Sequence, residues 1–291
     1  MAAALATGPA VPMMAGSRRR PAAYARLALG AAALGFLAVV LVWPQALMPR
    51  DPFAISAPNR LHPPDAEFPL GTDHLGRDLL SRIILGTRPS VLVSTGVVVL
   101  ATTAGLIAGV TAGHYRRLDN IVMRIMDGMM AFPAIMLALA ILAIMGRSVF
   151  NLILAVAIVY TPQIARVSRS VVLAYRETDF VAAAVASGAT DLRVVWRHLL
   201  PNCIPAVTVQ ATYFFARALL TEASLSFLGL GLPPEVPSWG MLLGEGRRYM
   251  QEAPWTTIFP GLAIAVAVVI LNVAGDTVRD RLDTRLRNLE R

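Results

Sequence analysis

Six runs of apolar residues, near 27–47, 91–113, 122–145, 149–173, 203–230 and 256–278, partition the 291-residue chain. Each is long enough to cross about 30 Å of hydrocarbon, which takes roughly 20 helical residues. Short polar or turn-forming stretches separate them, among them "GHYRRLDN" and "GRSVFN". The pattern predicts an all-α polytopic membrane protein of six transmembrane helices, with both termini on one side. Its expected organisation is a disordered, basic segment 1–26, a first span 27–47 and a loop 48–90. A core of five spans over 91–278 and a basic tail 279–291 complete it. Pro133 and Pro162 are expected to kink the third and fourth spans. Gly229, Gly231, Pro233 and Pro234 are expected to end the fifth.

Two interruptions carry helical signals of their own. In "HLGRDLLSRIILG", Leu75, Leu79, Leu80, Ile83 and Ile84 fall on one side, and Arg77, Asp78 and Arg82 on the other. That predicts an amphipathic helix lying in the membrane interface ahead of the second span. Between the fourth and fifth spans, "FVAAAVASGATDLRVVWRHLLPN" is too polar to cross a bilayer yet reads as helix. Its alanines are strong helix formers, and Gly188 suits the left-handed position that ends a helix. Thr190 is placed to cap a second helix with Asp191 in its favourable first turn. There Leu192, Val195, Trp196 and Leu199 form an apolar stripe beside Arg193, Arg197 and His198. Pro201 is expected to stop that helix and Pro205 to open the next span. The product is a helix–glycine turn–helix knob. A groove on a soluble partner would receive it; lipid headgroups are the other surface these residues leave open.

Charge changes the picture by setting sidedness. Apolar residues make up 56% of the chain and charged ones 15%, well below the roughly 25% usual in soluble domains. All 26 basic residues are Arg. A P-loop needs a Lys to reach nucleotide phosphates, so this chain holds no standard ATP site, and a Lys Schiff base is excluded too. With the termini inside, 17 Arg lie in cytoplasmic segments and 8 in outer loops, a bias that orients the knob toward the cytoplasm. The scattered Arg fit an anionic membrane surface better than nucleic acid. "SRRRPAA" resembles the start of a signal peptide, but no small-residue cleavage site follows the long apolar run, so the first span is expected to stay uncleaved. Cys203, the one cysteine, excludes an internal disulfide.

Ionisable residues inside the runs are the candidates for a translocation path: Asp127, Arg217 and Glu222, with Asp276 near a span end. Such groups are costly in hydrocarbon and face water or the bundle interior; helix–helix pairing is the alternative, or placement near the headgroups for Asp127 and Asp276. Arg217 and Glu222, five residues apart, point in different directions and make poor partners for one another. The four His show no metal-binding spacing, and no catalytic triad or metal site is expected. An ion-coupled secondary transporter remains the competing class, although no inverted repeat is visible. An anchoring scaffold is a third.

The knob resembles the EAA loop of binding-protein-dependent ABC permeases: Glu-Ala-Ala, three residues, Gly, nine residues, Ile, one residue, Leu-Pro. Ala182, Ala183, Ala184, Gly188, Leu200 and Pro201 fall in register, while Ala182 stands for the Glu and His198 for the Ile. "FPLGTDHLGRDLLSRIILG", "RIMDGMMAFPAIMLA", "SLSFLGLGLPPEVPSWGMLLGEGRRYM" and "FPGLAIAVAVVILNVAGDTVRDRLDTRLR" are similar to C-type inner-membrane subunits of dipeptide and oligopeptide importers, over about residues 60–287. The resemblance implies that 176–202 is a coupling helix seated in a cleft of an ATPase. Ala182, Ala183, Ala184, Ser187, Gly188, Ala189, Asp191, Arg193, His198, Leu200 and Pro201 would be at or near the contact. It further implies a homologous B-type permease, one or two ABC ATPases that bind the ATP and Mg, and an extracytoplasmic peptide-binding protein, with no cofactor on this chain. Nickel chelates or other small solutes are alternative cargoes within the same family.

Overall fold

The computed structural model describes residues 35, 39–233 and 235–282, with side chains as far as 276. The predicted basic N-terminus, most of the first span, Pro234 and most of the tail lie outside those residues. The described chain is helical, with α1 Leu79–His114, α2 Arg116–Met130, α3 Ala134–Met145, α4 Val149–Tyr175 and α5 Asp179–Ala186. They are followed by α6 Asp191–Phe227, α7 Trp239–Gly246 and α8 Trp255–Leu282. Among the described residues four helices are long and apolar enough to cross a membrane, α1, α4, α6 and α8, or five if the bent pair α2–α3 counts as one span.

That bent pair corrects the third predicted span. Over 122–145 the chain does not run straight: α2 and α3 meet at 95°. Pro133 has no N–H to continue the helix and disfavours helical geometry at Phe132. It sits in extended backbone, with ψ of 132°. The proline expected to kink this span breaks it.

The interfacial helix before the second span is a second correction. Residues 79–86 are the first turns of α1 itself, a single 36-residue helix. Asp78 caps it by accepting the Ser81 N–H at 2.8 Å. Arg82, expected to face headgroups, is 2% exposed. The fifth span is longer than expected for a related reason. Pro201 does not stop a helix, because Val195–Leu199 widens into a π turn in which the Leu200 N–H reaches the Val195 carbonyl. The wider turn accommodates a residue that cannot donate and whose ring crowds the preceding carbonyls. Asn202 Nδ2 closes the gap by donating to the His198 carbonyl at 2.6 Å.

Close helix packing rests on small residues. Gly105, Gly109 and Gly113 recur once per turn of α1 and lie directly on α4. A Cβ at Gly109 would overlap the Ala165 carbonyl oxygen, and one at Gly105 would stand 2.6 Å from Ile164. In lipid such close approach replaces the hydrophobic drive that packs soluble helices. Leu152, Ala155, Val156, Ile164 and Val172 of α4 make the centre of the core, with Val97 and Ala101 of α1 and Cys203, Phe214 and Ala218 of α6.

The two longest helices overshoot in opposite directions. Helices of 36 and 37 residues are about 54–56 Å long, well beyond the ~30 Å of hydrocarbon. The surplus of α1 projects at the end that also holds 48–78 and α7, here named the cap. The surplus of α6 projects at the opposite end and joins α5 in an elbow.

Candidate functional site

The elbow is built from a helix stop and a restart. At the end of α5 the Ala189 N–H bonds to the Ala184 carbonyl at 3.1 Å and the Gly188 N–H to the Val185 carbonyl at 2.9 Å. This paired pattern closes a helix when the residue between is left-handed, and Gly188 has φ of +82°. Thr190 then takes extended backbone ahead of α6, with Asp191 in the first turn, although its side chain makes no capping bond.

Burial divides the elbow's apolar residues into two sets. Val181, Val194 and Leu199 are buried and join the bundle core. Val185, Leu192 and Trp196 are 56%, 66% and 64% exposed. The expected single stripe is therefore split: Leu199 turns inward with Val194, which the stripe did not include, and Leu192 and Trp196 remain on the surface. Ala182, Ala183, Ser187, Gly188, Asp191, Arg193 and Pro201 are exposed, and Ala184, Ala189, His198 and Leu200 half-buried. Nothing lies within 4 Å of a Cβ built at Gly188. The elbow presents bare apolar side chains before and after an open glycine turn. Its tie to the bundle beyond the core anchors is light: Asp191 Oδ1 stands 3.8 Å from His114 Nε2, and Phe180 leans on Tyr175 and His198.

A second region lies on the spans themselves. Along α6, Tyr213, Arg217 and Leu220 are exposed on one face, with Ser224 half-buried one turn further on. Arg217 Nη1 donates to Gln163 Oε1 of α4 at 3.1 Å, and the guanidinium lies over Tyr160 and Phe214, 5.5 and 5.7 Å from the ring centres. Beneath it the Tyr160 and Thr221 hydroxyls bond at 2.7 Å. One turn along α4, Arg166 Nη2 donates to Asp127 Oδ1 of α2 at 2.7 Å, with both side chains about half exposed. The three intramembrane candidates thus separate. Asp127 and Arg217 stand at the surface of the bundle. Glu222 is 1% exposed inside it, accepting from Ser226 Oγ at 2.8 Å with its second oxygen unpartnered among the described residues. Asp276 accepts from the Tyr213 hydroxyl at 3.4 Å.

The cap holds a cluster that the sequence pattern did not isolate. Arg82 Nη1 donates to Asp73 Oδ2 at 2.5 Å and to Glu245 Oε2 at 2.7 Å. Arg77 Nε reaches the same Asp73 oxygen at 2.6 Å. Two acids and two arginines cancel in charge and join the loop, the start of α1 and α7. Burial raises the Asp73 pKa, but the Arg82 guanidinium, the backbone N–H groups of Arg77 and Leu75 and the Arg77 charge outweigh it and hold it below the ordinary 3.8. Asp73, His74 and Glu245 also gather three donor atoms within 4.8 Å. Both carboxylates are already neutralised by guanidinium groups, which would repel a cation, so the cluster is an ion-pair joint. The separation of 163 positions between Arg82 and Glu245 hides it from local pattern.

A bundle of spans with a polar open face and a protruding elbow has the architecture of a transporter permease subunit, a multi-pass membrane component. The chain belongs to the family of binding-protein-dependent transport system inner membrane components, whose model matches residues 101–288. It is 45% identical over 236 residues to a putative peptide transport system permease of Brucella suis, covering 81% of this chain and 80% of the relative. A dipeptide transport system permease of Alkalihalophilus pseudofirmus is 44% identical over 235 residues, covering 79% and 76%. A nickel transport system permease of Escherichia coli is 39% identical over 262 residues, covering 90% and 94%. An inward-facing structure of the MetNI methionine ABC transporter shares the fold at a TM-score of 0.57 and 20% identity, over 70% of this chain and 96% of that one. Permeases of such systems work with an ATPase and a binding protein.

Proposed function

We propose that this chain forms half of the membrane pathway of an ATP-driven peptide importer and takes its drive from a separate ATPase through the elbow, residues 176–202. The observation that carries the reading is the split of the elbow's apolar residues. Val181, Val194 and Leu199 root it in the core while Val185, Leu192 and Trp196 stay bare. A rigid lever needs both, an anchor that transmits motion and a surface that receives it. The exposed set flanks Gly188 along the chain, and at Gly188 a partner's backbone can approach without meeting a side chain. The Arg bias supports a cytoplasmic elbow and cytoplasmic termini.

The partner set is a homologous B-type permease, one or two ABC ATPases that bind the ATP and Mg, and an extracytoplasmic peptide-binding protein. The second permease covers the polar face of α4 and α6, where Asp127, Arg166, Gln163 and Arg217 line the path; Glu222 packs the bundle instead. Peptides are the cargo that the 45% and 44% identical relatives are named for. The name of the nickel permease supports metal chelates as the second reading. Reconstitution of the full importer in proteoliposomes tests the proposal. Uptake should require ATP and survive an uncoupler, and Gly188→Val should leave ATP hydrolysis running while uptake falls. Uptake driven by an ion gradient without the ATPase would refute it.

A further inference from the structure

The Arg217 side chain poses a physical problem that the fold alone leaves unsolved. It lies 10 residues before the Phe227 end of α6, about 15 Å into the bundle at ~1.5 Å per residue. Gln163, its partner, is 14 residues into α4, roughly 21 Å deep by the same rise. Both stand near mid-depth, and Arg217 is exposed there. A bare guanidinium facing hydrocarbon is costly, so this face meets water or protein in the working complex.

The local geometry says what the guanidinium is free to do. Its central carbon lies over the Tyr160 and Phe214 rings, 5.5 and 5.7 Å from their centres, and Gln163 accepts one hydrogen of Nη1. Among the described residues no carboxylate pairs with it, and its remaining N–H donors have no acceptor. Cation–π contacts hold a guanidinium in place without using its N–H donors, and a guanidinium edge matches a carboxylate in a two-point contact. Toward the cap, Leu228 follows directly on the Phe227 end of α6, eleven residues beyond Arg217. It lines an open cavity of about 750 Å³ with Arg147, Arg247 and Arg248.

We infer that Arg217, positioned by Gln163, Tyr160 and Phe214, is a carboxylate-binding waypoint on the path and holds the terminal α-carboxylate of a passing peptide. The inference rests on the peptide-cargo reading above. A zwitterionic peptide carries that anion whatever its side chains are, so one fixed cation serves a mixed set of cargoes. A single, solvent-open contact also suits a waypoint, since a path must bind weakly enough to release.

The test compares a free dipeptide with its C-terminal amide in proteoliposomes holding the complete importer, each at a concentration that saturates the binding protein. The binding protein is common to every arm, so its own preference cancels when variants are compared. Wild type should favour the acid, and Arg217→Gln should reduce the acid-to-amide uptake ratio about tenfold, the scale of one charge-assisted contact. Arg217→Lys should recover part of the ratio, because it restores charge without the fork. An unchanged ratio in Arg217→Gln overturns the inference, as does equal slowing of both cargoes. Loss of the second permease from purified Arg217→Gln complexes overturns it too, and assigns Arg217 to an ion pair between subunits. If wild type moves neither peptide, the cargo reading itself falls and takes this inference with it.

Discussion

The cap and the elbow solve opposite problems with similar materials. Each sits where a long helix overshoots the bilayer, and each turns on a left-handed glycine. At the cap, Gly76 has φ of +74° and a Cβ there would stand within van der Waals overlap of the Ser56 carbonyl. At the elbow, Gly188 has φ of +82° and open space around it. The cap buries its charges: Arg82 and Asp73 are 2% and 4% exposed, and Trp239 and Trp255 donate their indole N–H groups to the Ile83 and Thr72 carbonyls at 2.9 and 3.1 Å. The elbow leaves charged and apolar side chains bare. A region whose buried charges pair with one another within the chain is a rigid mount. A region that is rooted in the core yet leaves its tip unsatisfied is a surface awaiting another molecule.

Mutations sharpen this contrast. Arg82→Met leaves Asp73 and Glu245 facing one another inside the cap with Arg77 alone to answer them. Breaking a buried pair from one side costs about 3–5 kcal/mol, so thermal unfolding of the purified chain should shift down strongly. Acid does the same less completely. The folded pKa of Asp73 lies below its ordinary 3.8, so its contribution is complete above that value and is lost as pH falls through the lower folded one. Thermal melts from neutral pH downward should show a cap-dependent loss only below pH 3.8, and the loss should shrink in Arg82→Met.

Gly188→Val should cost about 1–3 kcal/mol, the strain of a β-branched residue held at positive φ. Uptake should fall by far more than that destabilisation accounts for, as measured in the reconstituted importer. Leu192→Ser with Trp196→Ser should move stability by no more than ~0.5 kcal/mol, since both side chains are exposed. Loss of a central apolar anchor from an interface costs about 2 kcal/mol or more, and ATPase retention on purification should drop accordingly. A large stability loss in this pair would place the two residues in the core and erase the distinction between the ends.

Much of this was legible in the sequence because it is local. Apolar runs located the spans, Gly188 announced its turn, and Ala182 through Pro201 carried the family resemblance. What stayed hidden depends on partners far along the chain or on compensation nearby. Arg82 reads as the polar side of an amphipathic helix until Asp73 and Glu245 are brought to it. Pro201 reads as a helix stop, whereas a π turn absorbs it. Pro133 gave the position of a bend but not its 95° size. Leu192 and Leu199 are seven residues apart, a spacing that predicts a shared face, and the same π turn sends them to opposite sides of the surface. Gln163 is a neutral residue whose role depends on Arg217, 54 positions further along the chain.

The most direct measurement places single cysteines at each position from 187 to 193, with the buried Cys203 replaced by Ala, and crosslinks them to cysteines on the ATPase in the assembled importer. The account predicts crosslinks clustered around Gly188 whose yield changes when ATP is added. Failure at every position in that window, in a complex that still hydrolyses ATP and transports, would contradict it.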